Sequence, residues 1–236
     1  MHDRTTLRLP AGLLLGGLIT YVVVTLIHTG GPANDHQVIF DDYAGSQDWA
    51  AVHLGQFVGM ALLVAGLLAL SAALDLRAGA AAWMSRIGSV LSAIALGLYG
   101  VLQAVDGVAL KQAVDAWASA PAAEKAARFA NAETVRWLEW GARSYQSVAL
   151  GLALLLIGTA VAVTARLPRA IGVLMALSGG AYLVQGWTVG SDGFSALNTN
   201  AILAGYLFTL MWTVALSVHA WRSRGVAVGA LRKSPA

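Results

Sequence analysis

Residues 49–74 read WAAVHLGQFVGMALLVAGLLALSAAL, an apolar run in which His53 is the only titratable side chain. A helix needs about 20 apolar residues to cross the hydrocarbon core of a bilayer. Inside that core there is no water to bond the backbone, and a helix pairs its amides and carbonyls within one segment. The stretch therefore predicts a transmembrane α-helix with a histidine about one turn inside its first end.

The composition extends this interpretation to the whole chain. Of its 236 residues, 58% are hydrophobic and 11% are charged, whereas a soluble domain carries about 25% charged residues. Five further apolar runs meet the same length criterion. Together they predict an all-α polytopic membrane protein, with residues 1–236 as a single domain of six transmembrane helices in a bundle. The predicted spans are 9–28, 49–74, 87–110, 137–165, 169–190 and 196–221.

The charge and cysteine content exclude other classes of protein. The chain has no cysteine, which excludes thiol–disulfide chemistry and thiolate metal ligands. Its net charge of +3 does not indicate nucleic acid, because membrane topology accounts for the basic residues. The predicted partner is the lipid bilayer, with no nucleic acid, and the oligomeric state stays open.

Lysine and arginine are distributed unevenly among the short loops. Residues 29–48 and 190–199 contain neither, while 75–86 and 165–169 contain two arginines each. Because cytoplasmic loops are enriched in these residues, we expect both termini to be cytoplasmic. Four tryptophans near the predicted outer ends of the spans suit an aromatic belt at that interface: Trp49, Trp137, Trp140 and Trp187.

The segment 119–136 reads SAPAAEKAARFANAETVR, which is rich in alanine and mixed in charge. Ser119 suits the N-cap of a helix and Pro121 suits its first turn. The pattern predicts a short interfacial helix over about 119–136 that leads into the fourth span.

Polar side chains recur at i, i+4, i+7 on the first four spans, which places each set on one helix face. The sets are Tyr21–Thr25–His28, Trp49–His53–Gln56, Tyr99–Gln103–Asp106 and Glu139–Arg143–Gln146. They indicate that the helices form hairpin pseudo-repeats. A third hairpin is matched only weakly, by Tyr182 and Gln185 on the fifth span. Repeats of this kind often frame a site in membrane proteins.

Ionisable side chains inside membrane spans are costly and usually face the bundle interior, where they mark a site. Here they gather toward the predicted outer half and indicate a small polar pocket that binds a small ligand, a lipid or a metal. The ligand-binding candidates are His53, Gln56, Gln103, Arg143, Gln146 and Gln185. Asp106 and Glu139 are the catalytic candidates, because a carboxyl group with a burial-raised pKa can act as an acid or base.

Two imidazoles and two carboxylates would suit zinc, iron or manganese, and they predict a metal site made of His28, His53, Asp106 and Glu139. No HExxH or ExxH motif accompanies them. His28 and His53 alone would suit the two axial positions of a b-type haem. Each residue also has a packing role open to it: Glu139 and Arg143 as an i, i+4 ion pair, His53 on a backbone carbonyl, and the glutamines as links between helices. The cofactor and any enzyme activity stay open.

Two other functions compete with a binding pocket. The chain could be a structural or accessory membrane protein whose polar residues only fix helix packing. It could also be a solute or ion carrier, although carriers usually place polar groups in both halves of the membrane. The predicted cytoplasmic half of this bundle is almost purely apolar, which disfavours the carrier.

Four stretches of the chain are similar to a family of multi-pass membrane proteins from high-GC bacteria. They are HTGGPANDH at 28–36, YAGSQDWAAVHLGQF at 43–57, QAVDGVALK at 103–111 and VRWLEWG at 135–141. The resemblance covers most of residues 28–146 and contains no catalytic motif. It implies a bacterial inner-membrane protein and carries no assigned activity.

Overall fold

The computed structural model describes residues 4–222, and over this range the regular structure is helical throughout. Within it, six helices are long and apolar enough to cross a membrane. The all-α, polytopic bundle predicted from the sequence is thereby confirmed, and the protein is an integral membrane protein in a lipid bilayer.

Eight α-helices and one π-helical turn build the described chain. The helices are α1 (Arg8–Leu26), α2 (His36–Gly45), α3 (Trp49–Ala73), α4 (Ala80–Ala104), α5 (Lys111–Ala118), α6 (Lys125–Thr164), α7 (Arg169–Asp192) and α8 (Ala196–Trp221). The π turn, Val105–Leu110, joins α4 to α5 without a break. A 3-10 turn at Arg4–Leu7 precedes α1.

The predicted boundaries are wrong around the third and fourth spans. The prediction placed an interfacial helix at 119–136, but Ser119 ends α5 and its hydroxyl donates to the Asp115 carbonyl at 2.8 Å. One continuous helix then runs from Lys125 to Thr164. No proline interrupts those residues, so the amphipathic part and the apolar part form one rod.

Helix α6 is longer than a membrane requires. Its 40 residues rise about 60 Å at 1.5 Å per residue, about twice the thickness of the hydrocarbon core. The half that begins at Lys125 is the charged half and therefore extends out of the bilayer. The combined α4, π turn and α5, which runs from Ala80 to Ala118, extends alongside it.

The extramembrane parts of α5 and α6 pack with α2 into a compact cap over one end of the bundle, which we call the cap end. The sequence predicts only a loop at 29–48, but α2 lies within it. Asp35 caps the N-terminus of α2, where its side chain accepts from the Val38 amide at 3.2 Å. A separate apolar core holds the cap together: Ile39, Phe40, Tyr43, Trp49, Leu110, Ala113, Val114, Trp117 and Ala132.

The aromatic belt expected at the cap end is only partly formed. Trp137 and Trp187 are 54% and 75% exposed, as side chains facing lipid or its interface should be. Trp49 is 2% exposed, and its indole nitrogen donates to the Asp106 carbonyl at 2.9 Å. The cap buries Trp49, which no local pattern in the sequence indicates.

Six spans surround the main core. Helix α1 packs on α3, α4 on α6, α6 on α7 and α7 on α8, and α8 returns to α1 and closes the bundle. Glycines allow the closest approach, between α6 and α7. A Cβ atom at Gly172 would lie 2.5 Å from the Ala162 amide nitrogen and 2.5 Å from the Gly158 carbonyl oxygen. These two backbones are therefore in direct contact.

Candidate functional site

The π turn places a buried carboxylate beneath the cap. Asp106 is the second residue of the turn and is 3% exposed. Gly107 follows it and lies against His53 on α3, where a Cβ atom would stand 2.7 Å from the His53 Cβ. A π turn adds a residue to a helical turn and is frequent at functional sites. Here the turn brings the α4 backbone into contact with the histidine.

His53 is held between a backbone carbonyl and this carboxylate. Its Nδ1 lies 2.7 Å from the Trp49 carbonyl oxygen one turn earlier. Because a carbonyl can only accept, Nδ1 carries the proton and donates it. Nε2 lies 3.4 Å from Asp106 Oδ2 and makes no hydrogen bond to any group in the described chain. The histidine therefore presents Nε2 to the carboxylate.

A buried ion-pair chain continues from Asp106 onto α6. Arg143 Nη2 lies 3.3 Å from Asp106 Oδ2, and Arg143 Nε donates to Glu139 Oε1 at 2.6 Å. The second oxygen of Glu139 accepts from Arg136 Nη1 at 2.9 Å. Glu139 is 0% exposed and Arg136 is 2% exposed. The i, i+4 pair expected from sequence is present, while Arg136 was missed, although its spacing of i, i+3, i+7 with Glu139 and Arg143 places it on their face.

His28 completes a cluster with His53 and Asp106. The two imidazole rings lie 5.1 Å apart between centroids, and one ligand atom from each of the three residues lies within 4.8 Å of the others. Burial lowers the pKa of His28 below its usual 6.5, and the Asp106 carboxylate opposes that shift only in part. His28 is therefore neutral near pH 7, in the form that can ligate a metal.

The structure does not bring together all four residues that the sequence predicted as metal ligands. Glu139 is not part of the cluster, because both of its oxygens are bonded to arginines. The haem alternative does not fit either. The His28 and His53 rings meet edge to face, which leaves no room for a porphyrin between them.

The other predicted ligand-binding residues are distributed over three places. Gln103 Nε2 donates to Gln56 Oε1 at 3.5 Å, and Gln56 Nε2 donates to Thr25 Oγ1 at 3.3 Å. This chain of bonds links α4, α3 and α1, so Gln56 has a packing role. Gln103 also lines a groove of about 300 Å³ between α3 and α4 with His53 in its wall.

Arg143, Gln146 and Gln185 line a central cavity deeper in the bundle. Its volume is about 70 Å³, which is room for several water molecules. Four helices each contribute a tyrosine to the cavity lining. The centroid of the Tyr21 ring lies 6.2 Å from that of Tyr99 and 6.1 Å from that of Tyr206. The apolar wall is mostly leucine: Leu14, Leu18, Leu63, Leu67, Leu150 and Leu154.

Helix α8 contributes to this cavity in a way that the sequence analysis missed. Tyr206, Thr209 and Trp212 all line it. The i, i+4, i+7 pattern of the first four spans does not recur on α8. The signal that could have found them is the polar face of α8 itself, on which side chains at spacings of three and four residues lie together.

The chain matches no family model, no curated protein and no solved structure in comparisons with each. The resemblance to a family of high-GC bacteria therefore stays a prediction. The function has to be argued from the geometry of the site.

Proposed function

We propose that this membrane protein binds one divalent transition-metal ion at His28, His53 and Asp106. The observation that carries the proposal is the orientation of His53. Its Nδ1 donates to the Trp49 carbonyl and its unpartnered Nε2 faces the Asp106 carboxylate at 3.4 Å. Metal-ligating histidines commonly donate their other ring nitrogen to a carbonyl in this way, which sets the tautomer and the ring plane.

A cation between His53 and Asp106 resolves an unfavourable contact. In the neutral imidazole with its proton on Nδ1, the lone pair of Nε2 points at the carboxylate 3.4 Å away, and two acceptors repel each other. The other carboxylate oxygen, Asp106 Oδ1, is also buried without a partner in the described chain. Buried polar atoms in folded proteins are almost always satisfied, and a cation bound by Nε2 and by both oxygens of the carboxylate would satisfy them.

The spacing of the cluster suits a small ion. Four ligand atoms about 2.0–2.2 Å from a tetrahedral zinc lie about 3.3–3.6 Å apart, a range that includes the 3.4 Å between His53 Nε2 and Asp106 Oδ2. His28 offers a ligand atom within 4.8 Å of the other two, so binding an ion would draw it closer to them. Arg143 Nη2 contacts the same oxygen, Asp106 Oδ2, at 3.3 Å and orients the carboxylate.

The donor set also indicates which ions suit the cluster. Two imidazoles and one carboxylate are typical ligands of zinc and of non-haem iron. Three protein ligands leave a coordination position open, where such an ion can polarise a bound molecule or lower the pKa of a bound water. Half-buried His28 is the member of the cluster nearest to solvent.

Metal content tests this proposal. Purified protein, freed of any affinity tag, is loaded with Zn²⁺ or Fe²⁺, desalted and submitted to elemental analysis. We expect about one ion per wild-type chain and a loss of affinity of about 100-fold or more for His53→Gln and Asp106→Asn, since an amide is a poor ligand in either place. His36→Gln is the matched control, because His36 pairs with Glu133 at 3.0 Å in the cap, away from the cluster.

Two results would contradict the metal site. One is a wild type that retains no ion under either loading. The other is equal metal content in wild type, His53→Gln and His36→Gln, since the bound ion would then lie elsewhere. Circular dichroism and the elution volume of each variant separate a lost ligand from a lost fold.

We also propose that the protein resides in the inner membrane of a bacterium, with the cap outside and both termini cytoplasmic. Supporting this, residues 29–48 and 190–199 meet at the cap end, where the Phe194 amide donates to Asn34 Oδ1 at 2.8 Å. Neither segment contains Lys or Arg. Residues 75–86 and 165–169, at the opposite end, carry two arginines each, and such residues are retained on the cytoplasmic side.

Single cysteines test this orientation, and the absence of native cysteine makes the labelling specific. In intact bacterial cells, we expect a membrane-impermeant thiol reagent to label Ser191→Cys, which lies exposed at the cap end. Arg77→Cys, at a site that is 85% exposed at the opposite end, should be labelled only after the membrane is permeabilised. The reverse pattern would invert the proposed topology.

A further inference from the structure

The central cavity contains buried polar atoms that nothing in the described chain satisfies. They are Gln146 Nε2, Gln185 Oε1, Thr209 Oγ1 and Trp212 Nε1, and all four side chains are less than 9% exposed and line the cavity. Native interiors pair nearly all such groups, with ordered water where protein is absent. The cavity therefore calls for an occupant that makes hydrogen bonds.

The unpaired hydroxyls continue along α8 beyond the cavity. Thr209, Thr213 and Ser217 follow one another at intervals of four residues, each is less than 9% exposed, and none makes a hydrogen bond in the described structure. A serine or threonine in a helix usually bonds a carbonyl of its own preceding turn. On other helices hydroxyls follow that rule and donate three or four residues back, whereas that of Ser71 on α3 does not; the donors include Ser89, Ser92, Thr159, Thr164, Ser178 and Thr188.

The spacing on α8 suits bridging water. Four residues of helix rise about 6 Å. One water that bonds two hydroxyls at about 2.8 Å in tetrahedral geometry spans about 4.6 Å, so two waters in succession bridge each gap. The last hydroxyl, on Ser217, is one turn from Trp221, where α8 ends. The row therefore leads from the cavity to the end of the bundle opposite the cap.

We propose that the cavity and the α8 hydroxyls hold a file of water molecules, a half-channel through which water and the protons it carries reach the cavity from the end opposite the cap. At the cap end the half-channel is closed by the Arg143 ion pairs with Asp106 and Glu139 and by the apolar core of the cap. The proposal does not depend on the metal site. It revises the expectation that this half of the bundle is almost purely apolar.

The Trp212 indole proton is a reporter placed inside the proposed path. Its nitrogen is buried and unpaired on a side chain that is 1% exposed. In the full-length protein, labelled with ¹⁵N-tryptophan and held in nanodiscs, we expect it to exchange with deuterium at least roughly tenfold faster than the Trp49 indole. Trp49 is equally buried but hydrogen-bonded to the Asp106 carbonyl. Trp212→Phe and Trp49→Phe assign the two signals.

Thr213→Val removes one bridging hydroxyl at nearly constant shape and should slow exchange at Trp212 by roughly tenfold. Thr159→Val is the matched control, because the Thr159 hydroxyl already donates to the Leu155 carbonyl on α6. It should leave the Trp212 rate unchanged. Exchange at Trp49 in the same samples reports any general loosening of the fold.

A dry path would give different results. The Trp212 indole would then be protected as long as that of Trp49, or Thr213→Val would leave its exchange rate unaltered. Thr213→Val would also raise the stability of the protein, because it would remove a buried hydroxyl that no water satisfies. Any of these three outcomes overturns the half-channel.

Discussion

Replacing Glu139 with glutamine is expected to lower the free energy of unfolding by about 3–5 kcal/mol, the usual cost of removing one partner from a buried ion pair. Glu139 is 0% exposed and bridges two arginines, at 2.9 Å to Arg136 and 2.6 Å to Arg143. The amide is neutral and cannot compensate either charge. Arg136, itself 2% exposed, would be left with a buried charge and no carboxylate.

The matched control is Glu133→Gln on the same helix. Glu133 pairs with His36 at 3.0 Å, but its side chain is 27% exposed, so its loss should cost about 0–1 kcal/mol. Equilibrium unfolding in mixed detergent micelles of increasing denaturing strength measures both variants. Equal losses for the two variants would mean that the Arg136–Glu139–Arg143 chain contributes no more than a surface pair.

Gly172→Ala should destabilise the bundle by about 1–3 kcal/mol, the typical cost of inserting a methyl group into a closely packed core. The added Cβ would stand 2.5 Å from backbone atoms of Gly158 and Ala162. Backbone atoms cannot rotate away as side chains do, so α6 and α7 would have to separate. The same micellar unfolding assay measures the effect.

Gly180→Ala on the same helix isolates the contact from the change in helix propensity. No atom lies within 4 Å of a Cβ at Gly180, and alanine favours a helix over glycine by about 1 kcal/mol in water. We expect this variant to be as stable as the wild type or more so. If Gly172→Ala were as stable as Gly180→Ala, the backbones of α6 and α7 would not be held in contact.

The transmembrane architecture could be predicted from the sequence because lipid imposes a local rule. Backbone groups in the hydrocarbon core must bond within their own segment, so each apolar run such as 49–74 forms a helix wherever its neighbours are. The observed α3 covers Trp49–Ala73. This rule does not apply outside the hydrocarbon core. There the sequence predicted a separate helix at 119–136, whereas α6 continues from Lys125 into the membrane without a break.

The sequence predicted which types of residue form the candidate site, but it predicted only in part which of them contact one another. The polar faces indicated that His53, Asp106, Glu139 and Arg143 lie toward the same end of the bundle, and in the structure they form one connected network. The sequence did not indicate which carboxylate faces the histidines. That depends on the π turn at Val105–Leu110 and on Arg136, which holds Glu139 away from His28 and His53.

By itself, then, the sequence determined which segments are helical and which side chains are polar within them, since both follow from composition within about 20 residues. Tertiary structure alone decided that α2 and α5 form a cap that buries Trp49, that Asp106 rather than Glu139 faces His53, and that α8 presents unpaired hydroxyls to the interior. These features depend on the rotation and depth of each helix against its neighbours. The rotation and the depth of each helix are set by contacts between residues far apart in the sequence, such as Gly107 with His53 and Gly172 with Gly158. No pattern within one segment predicts such contacts.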